Sequence, residues 1–102
     1  MLRITAGDTA TKITLELEGD LVGVWVSELF EAWTAARRAL NGRTLSIDLS
    51  AVGHVDKAGE YLLALFRCNG AQLAGTGLVT GNLIRTISQD WPLFGSQTNR
   101  EA

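Results

Sequence analysis

Thr44-Leu45-Ser46-Ile47-Asp48-Leu49-Ser50-Ala51-Val52-Gly53-His54-Val55-Asp56-Lys57-Ala58-Gly59 is the stretch on which the fold of this 102-residue chain turns. Leu45, Ile47 and Leu49 alternate with polar residues at the period of a strand, and Asp56 opens an unbroken helical pattern that ends near Cys68. The residues between them read as a short loop. A strand that delivers its loop onto a helix N-terminus is where open α/β sheets place their sites, so candidate functional residues are expected here.

Upstream, Leu2 and Ile4 alternate with Arg3 and Thr5, Gly7-Asp8 supplies turn chemistry, and Ile13, Leu15 and Leu17 alternate with Thr14, Glu16 and Glu18. This predicts an antiparallel hairpin with one wet face. From Val22 the spacing becomes helical through Val26, Leu29, Trp33, Ala36 and Leu40, which predicts a first helix over roughly residues 23 to 40. Glu28 and Glu31 are expected towards its start and Arg37 and Arg38 in its last turn, with Asn41-Gly42 as a left-handed stop. A strand, a helix and a strand in close succession imply a parallel crossover.

Downstream, Asn69-Gly70 repeats the Asn-Gly stop, Ala71 to Ala74 makes a short fourth strand, and a last helix is expected from about Thr80 to Gln89. Trp91-Pro92-Leu93-Phe94 is expected to fold back as an apolar clasp. The order ββαβαβα predicts a single-domain α/β fold, a small mixed β-sheet packed with helices, over residues 1–95, with 96–102 as a frayed polar tail.

Composition narrows the function. At 46% hydrophobic and 20% charged residues the chain is globular, and its net charge of −2 lacks the basic footprint of nucleic-acid binding. One cysteine forms no internal disulfide, which favours a reducing, cytoplasmic setting. The start of the chain lacks the apolar run of a signal peptide, and no stretch is long enough to insert in a membrane.

Enzyme motifs are weak. Gly70-x-x-x-x-Gly75-Thr76 lies near phosphate-loop spacing without its lysine, and Gly75-x-Gly77-x-x-x-Gly81 has one residue too many for a dinucleotide fingerprint; turn glycines explain both. Ser50, His54 and Asp56 supply the residue types of a hydrolase triad, but their proximity on one short stretch gives no sign of its geometry. One His and one Cys do not make a metal site, and no cofactor is expected. Trp25 and Trp33 share a helix face and read as core, whereas Phe30 points elsewhere and marks a partner surface if it is exposed. Lys57, in the first turn of its helix, opposes the macrodipole by roughly 0.3–1 kcal/mol, a penalty that Asp56 partly offsets and that is easily tolerated in solvent; the alternative is contact with an acidic group of a partner.

Leu45-Ser46-Ile47-Asp48-Leu49-Ser50-x-Val52-x-x-Val55-Asp56-x-x-Gly59 before an apolar helix resembles the STAS domain, the fold of bacterial anti-sigma factor antagonists. Gly19-Asp20-Leu21 and Gly70-Ala71-Gln72-Leu73 match that family's pattern as well. The resemblance implies a transcription-regulating, protein-binding module whose partner kinase is also the anti-sigma factor and phosphorylates the second serine of an Asp-Ser-Ser-Gly motif. Here those two serines are replaced by Lys57 and Ala58, and Ala58 has no hydroxyl to take the about −1.5 to −2 charges of a phosphate. Glu60 stands where the family commonly has an apolar residue. The implied partner-binding positions are Asp20, Leu21, Val22, Gly23, Asp56, Lys57, Ala58, Gly59 and Glu60, Gly59 permitting close approach of another backbone.

The resulting expectation is a non-enzymatic module that binds its partner without a serine switch. It is either a constitutive antagonist of an anti-sigma factor or a fixed subunit of another regulatory assembly. A small-ligand or nucleotide-binding STAS domain, and a STAS subunit of a lipid-transport ATPase complex, are the alternatives. Homo-oligomers are compatible with all of them.

Overall fold

The computed structural model describes residues 1–90; the expected Trp91 to Phe94 clasp and the 96–102 tail lie outside them. Seven elements follow one another: β1 (Leu2–Asp8), β2 (Lys12–Leu21), α1 (Val24–Arg38), β3 (Thr44–Val55), α2 (Lys57–Cys68), β4 (Gln72–Ala74) and α3 (Leu78–Asp90). The sheet order is β1-β2-β3-β4, with β1 antiparallel to β2 and β3 parallel to both β2 and β4. This is the mixed sheet and the ββαβαβα order that the periodicities predict.

The hairpin keeps strict alternation. Ile13, Leu15 and Leu17 are buried on one face while Glu16 and Glu18 are exposed on the other. Leu29 and Trp33 of α1, Leu63 and Phe66 of α2 and Ile87 of α3 complete the core on the apolar face. α1 and α2 meet where the Trp33 and Phe66 rings stack at 4.5 Å. Trp33 is core as expected, Trp25 is half-buried, and Phe30 is 44% exposed while its ring still lies 5.9 Å from that of Trp33.

Four sequence expectations need correction. Gly7 and Asp8 do not make the hairpin turn but end β1, paired with Thr14 and Ile13, and the turn closes from Thr9 N–H to the Lys12 carbonyl. The stretch Ser50 to Val55 is not a loop but the second half of β3, where Ala51, Val52, His54 and Val55 pair with Glu18, Gly19, Asp20 and Leu21. Two register shifts, between Glu16 and Glu18 and between Gly19 and Asp20, place extra residues on β3 and erase the period of two by which a strand is recognised. In α1, Arg37 and Arg38 do occupy the last turn, but the first turn carries no acid, so Glu28 and Glu31 do not serve its N-terminus. Asn41 (φ 49°) and Gly42 (φ 81°) are left-handed as expected, but they follow the C-cap Ala39 and form a separate turn.

Candidate functional site

β2 and β3 end side by side, Leu21 pairing with Val55, so the segments that follow them emerge together. One leads through Val22 and Gly23 into α1, the other through Asp56 into α2. Asp56 is the N-cap of α2 in extended backbone geometry, the role that a short acceptor side chain ahead of an apolar helix predicts. Its carboxylate has two partners: Oδ1 accepts from the Gly59 N–H at 2.8 Å and Oδ2 from the Gly23 N–H at 2.9 Å. The bonds from Gly23 and Gly59 hold its pKa below the ordinary carboxylate range. The Asp56 N–H donates to the Leu21 carbonyl at 3.2 Å, so backbone and side chain both lace the two segments together.

Gly59 explains how closely they lie. A Cβ at this position would come within 2.7 Å of the Leu21 carbonyl oxygen and 2.8 Å of Val55 Cγ1. The backbone that approaches this glycine is therefore the chain's own. Both Leu21 and Gly59 are buried, and they shape the surface from beneath without offering side-chain area to it. The exposed part consists of Gly23, Lys57 and Ala58, with Asp20, Val22, Asp56 and Glu60 partly buried at its edges.

Lys57 finds an acid within its own helix: its Nζ lies 3.5 Å from Glu60 Oε1, the lysine side chain 80% exposed and the glutamate 16%. That carboxylate oxygen is buried and, among the described residues, accepts no hydrogen bond, so Lys57 is the partner it has there. The lysine end of this i,i+3 pair is solvent-exposed, so its ammonium can turn outward from the half-sheltered carboxylate. Two residues outside the implied partner-binding set join the same end. His54 Nδ1 lies 3.3 Å from Asp20 Oδ1, and Val24, the first residue of α1, is 74% exposed. Tyr61, 47% exposed, continues the surface along α2. The parallel run of β3 with β2, invisible while Ser50 to Val55 read as a loop, is what brings His54 to Asp20.

The other candidates are used internally. Ser50 Oγ accepts from the Thr76 N–H at 2.9 Å, His54 pairs with Asp20, and Asp56 holds Gly23 and Gly59, so the three triad-type residues serve three different segments. Gly75 lies against Ser50 and Thr80, where a Cβ would meet Thr80 Cγ2 at 2.8 Å. Asp48, held ionised by the Ser50 N–H and hydroxyl, braces the same turn. Among the described residues no three His, Cys, Asp or Glu side chains are grouped to hold a metal, and no helix is long and apolar enough to cross a membrane.

No family model and no curated protein matches the chain. Solved structures do. The crystal structure of Mglu superposes with a TM-score of 0.57 at 19% identity, over 72% of this chain but only 19% of that one. An uncharacterised protein from Shewanella loihica PV-4 with a SpoIIAA-like fold gives 0.57 at 12% identity, covering 89% of this chain and 80% of that one. The STAS domain of an antisigma-factor antagonist from Rhodobacter sphaeroides gives 0.50 at 20% identity, over 74% and 86%. The likeness is one of fold, and the fold is that of a STAS-like domain.

Proposed function

We propose that the chain is a non-enzymatic protein-binding module whose docking surface is the joint start of α1 and α2. Its partner is an anti-sigma factor kinase or a related regulatory subunit in the bacterial cytoplasm, and it is bound without a phosphorylation switch at Ala58. One observation carries this reading. The Asp56 carboxylate ties Gly23 to Gly59 and so makes a single preorganised surface from two segments 33 residues apart in sequence. Preorganisation removes the ordering cost that weakens flexible docking loops. The chemistry of the surface agrees with protein docking. An exposed Val24 lies beside Gly23, a movable Lys57 and an exposed Ala58 open α2, and Tyr61 follows one turn later. In place of a modifiable hydroxyl, the first turn of α2 presents a fixed positive charge at Lys57.

Affinity capture from the native lysate with wild-type and Lys57→Glu chains tests the reading. The expected result is one stoichiometric protein partner held by the wild type and lost with the charge reversal. Recovery of no stoichiometric partner across several salt concentrations would overturn it. Incubation with the captured partner and ATP is expected to label an Ala58→Ser chain and not the wild type; phosphate on wild-type Ser50 would mean that the switch has moved and is still present.

A further inference from the structure

Among the described residues no strand pairs with the outer edge of β1, and three features of that edge fit one another. The first is hydrogen-bonding phase. Asp20 N–H donates to the Met1 carbonyl at 2.9 Å and Thr9 N–H to the Lys12 carbonyl at 2.8 Å, so the odd-numbered residues of the first strand direct their backbone groups at β2. Leu2, Ile4, Ala6 and Asp8 therefore direct theirs outward, along an edge that runs through seven regular pairs with no bulge, proline or lysine to block it. The second is a trough on the helix-bearing face beside that edge, about 460 Å³, between Ile4, Ala6 and Leu15 on the sheet and Ala32, Ala35 and Ala36 on α1. It exists because alanines stand where larger side chains would close the gap between helix and strand. The third is Gly7, where an added Cβ would meet nothing within 4 Å on the opposite, polar face.

We infer that β1 pairs antiparallel with β1 of a second copy of this chain, about a two-fold axis through Thr5, to give a continuous eight-stranded sheet. This register is the one that overlaps the whole strand, and it places the outward-facing residues opposite one another, Ile4 with Ala6 and Leu2 with Asp8. Each such pair exchanges two backbone hydrogen bonds. Ile4 of each copy then stands directly across from the partner's Ala6, where its side chain enters the trough that Ala6 and the α1 alanines leave open. On the other face Thr5 meets Thr5 at the close, non-hydrogen-bonded spacing, a favourable cross-strand pair. Arg3, held among the described residues only by a 3.8 Å contact with Glu18 between exposed side chains, passes over the partner's Gly7 toward the acidic outer face of β2, where Glu16 and Glu18 project. The edge is thus complementary to itself in hydrogen bonding, shape and charge. The far end of the trough is fixed by Arg43, which donates to Asp8 Oδ2 at 2.9 Å and to the carbonyls of Ala39 and Leu40.

Sedimentation of the full chain over a wide concentration range tests this pairing. The expected result is a rise from 11.0 kDa to twice that mass, and an association weakened by about 100-fold in Ala6→Pro. Ala6→Pro removes an N–H that the single chain does not use, so β1 and β2 stay paired. Amide exchange on the wild type needs no variant: Ile4 and Ala6 are expected to gain protection with concentration, while Arg3, Thr5 and Gly7 are protected at every concentration. A chain that stays at 11.0 kDa when concentrated overturns the inference and leaves the edge to an extended segment of a different protein. A dimer indifferent to Ala6→Pro, or Ile4 and Ala6 amides that exchange equally fast throughout, overturns it too.

Discussion

α1 and α2 start side by side at the same end of the sheet, and they start in opposite ways. α2 has a conventional cap: Asp56, extended at φ −84° and ψ 179°, accepts from the Gly59 N–H within its own first turn. α1 begins at Gly23, with φ 58° and ψ −130°, no capping side chain and no acid in its first turn. Its N-cap N–H donates instead to Asp56, 33 residues away. One helix is self-sufficient and the other borrows from it, so the dependence runs from α1 to α2. A surface made from both starts has its stiffness concentrated in one carboxylate and two glycines.

The two glycines serve for different reasons, and substitution separates them. At Gly59 the limit is space, since a Cβ would press on the Leu21 carbonyl and on Val55. Gly59→Val is expected to cost about 3 kcal/mol, the upper part of the range for overpacking a closed site, read as a lowered denaturant midpoint. A loss under about 1 kcal/mol would show that α2 can lift off Leu21 cheaply. At Gly23 there is open space, and the limit is the backbone torsion. Gly23→Ala is expected to cost about 2 kcal/mol through a φ that L-residues rarely adopt, with no change in the packing of Leu21. If the alanine proves neutral, the α1 start is softer than the α2 start, and the comparison sharpens in favour of α2 as the rigid half.

The same contrast marks what the sequence made legible. Asp56 as a cap, the helix to Cys68 and the alternation of Ile13, Leu15 and Leu17 are local signals of period and capping, and the structure has them where the sequence puts them. The second half of β3 was lost because register shifts beside Glu18 and at Gly19–Asp20 broke the alternation through Ser50, Ala51 and Gly53, leaving a polar run that imitates a loop. The reach of Asp56 to Gly23, the seating of Gly59 on Leu21 and the pairing of His54 with Asp20 all depend on β2 lying beside β3. No local pattern encodes that juxtaposition. Gly59 was noticeable as a glycine in a first helical turn, but which backbone it admits is a property of the assembled sheet.

The smallest expected effect isolates the shared carboxylate. Asp56→Asn keeps one acceptor oxygen but turns the other into an NH₂ that faces an N–H, so one of the two bonds fails and the charge on both is lost. In the wild type, the Gly23 and Gly59 N–H groups hold the Asp56 pKa below its ordinary value, so the folded chain binds that proton less readily than the unfolded chain. The stabilisation is therefore complete above the unfolded carboxylate value near about 4 and is lost as pH falls through the lower folded value. Denaturant midpoints from about pH 7 down to about pH 3 are expected to show the wild type progressively losing its advantage over Asp56→Asn once the pH drops below about 4, as the unfolded chain takes up a proton that the folded chain resists. Asp48, lowered in the same direction by Ser50, keeps its own acid dependence in both chains, so the difference between them reports Asp56 alone. Exchange at the Gly23 and Gly59 amides decides how the bond divides: simultaneous loss of protection means that one carboxylate orders both helix starts, whereas loss at Gly23 alone means that α2 holds Asp56 and α1 only leans on it. A gap between the chains that stays constant across this pH range would show that the charge on Asp56 adds nothing beyond the acceptor that Asn retains.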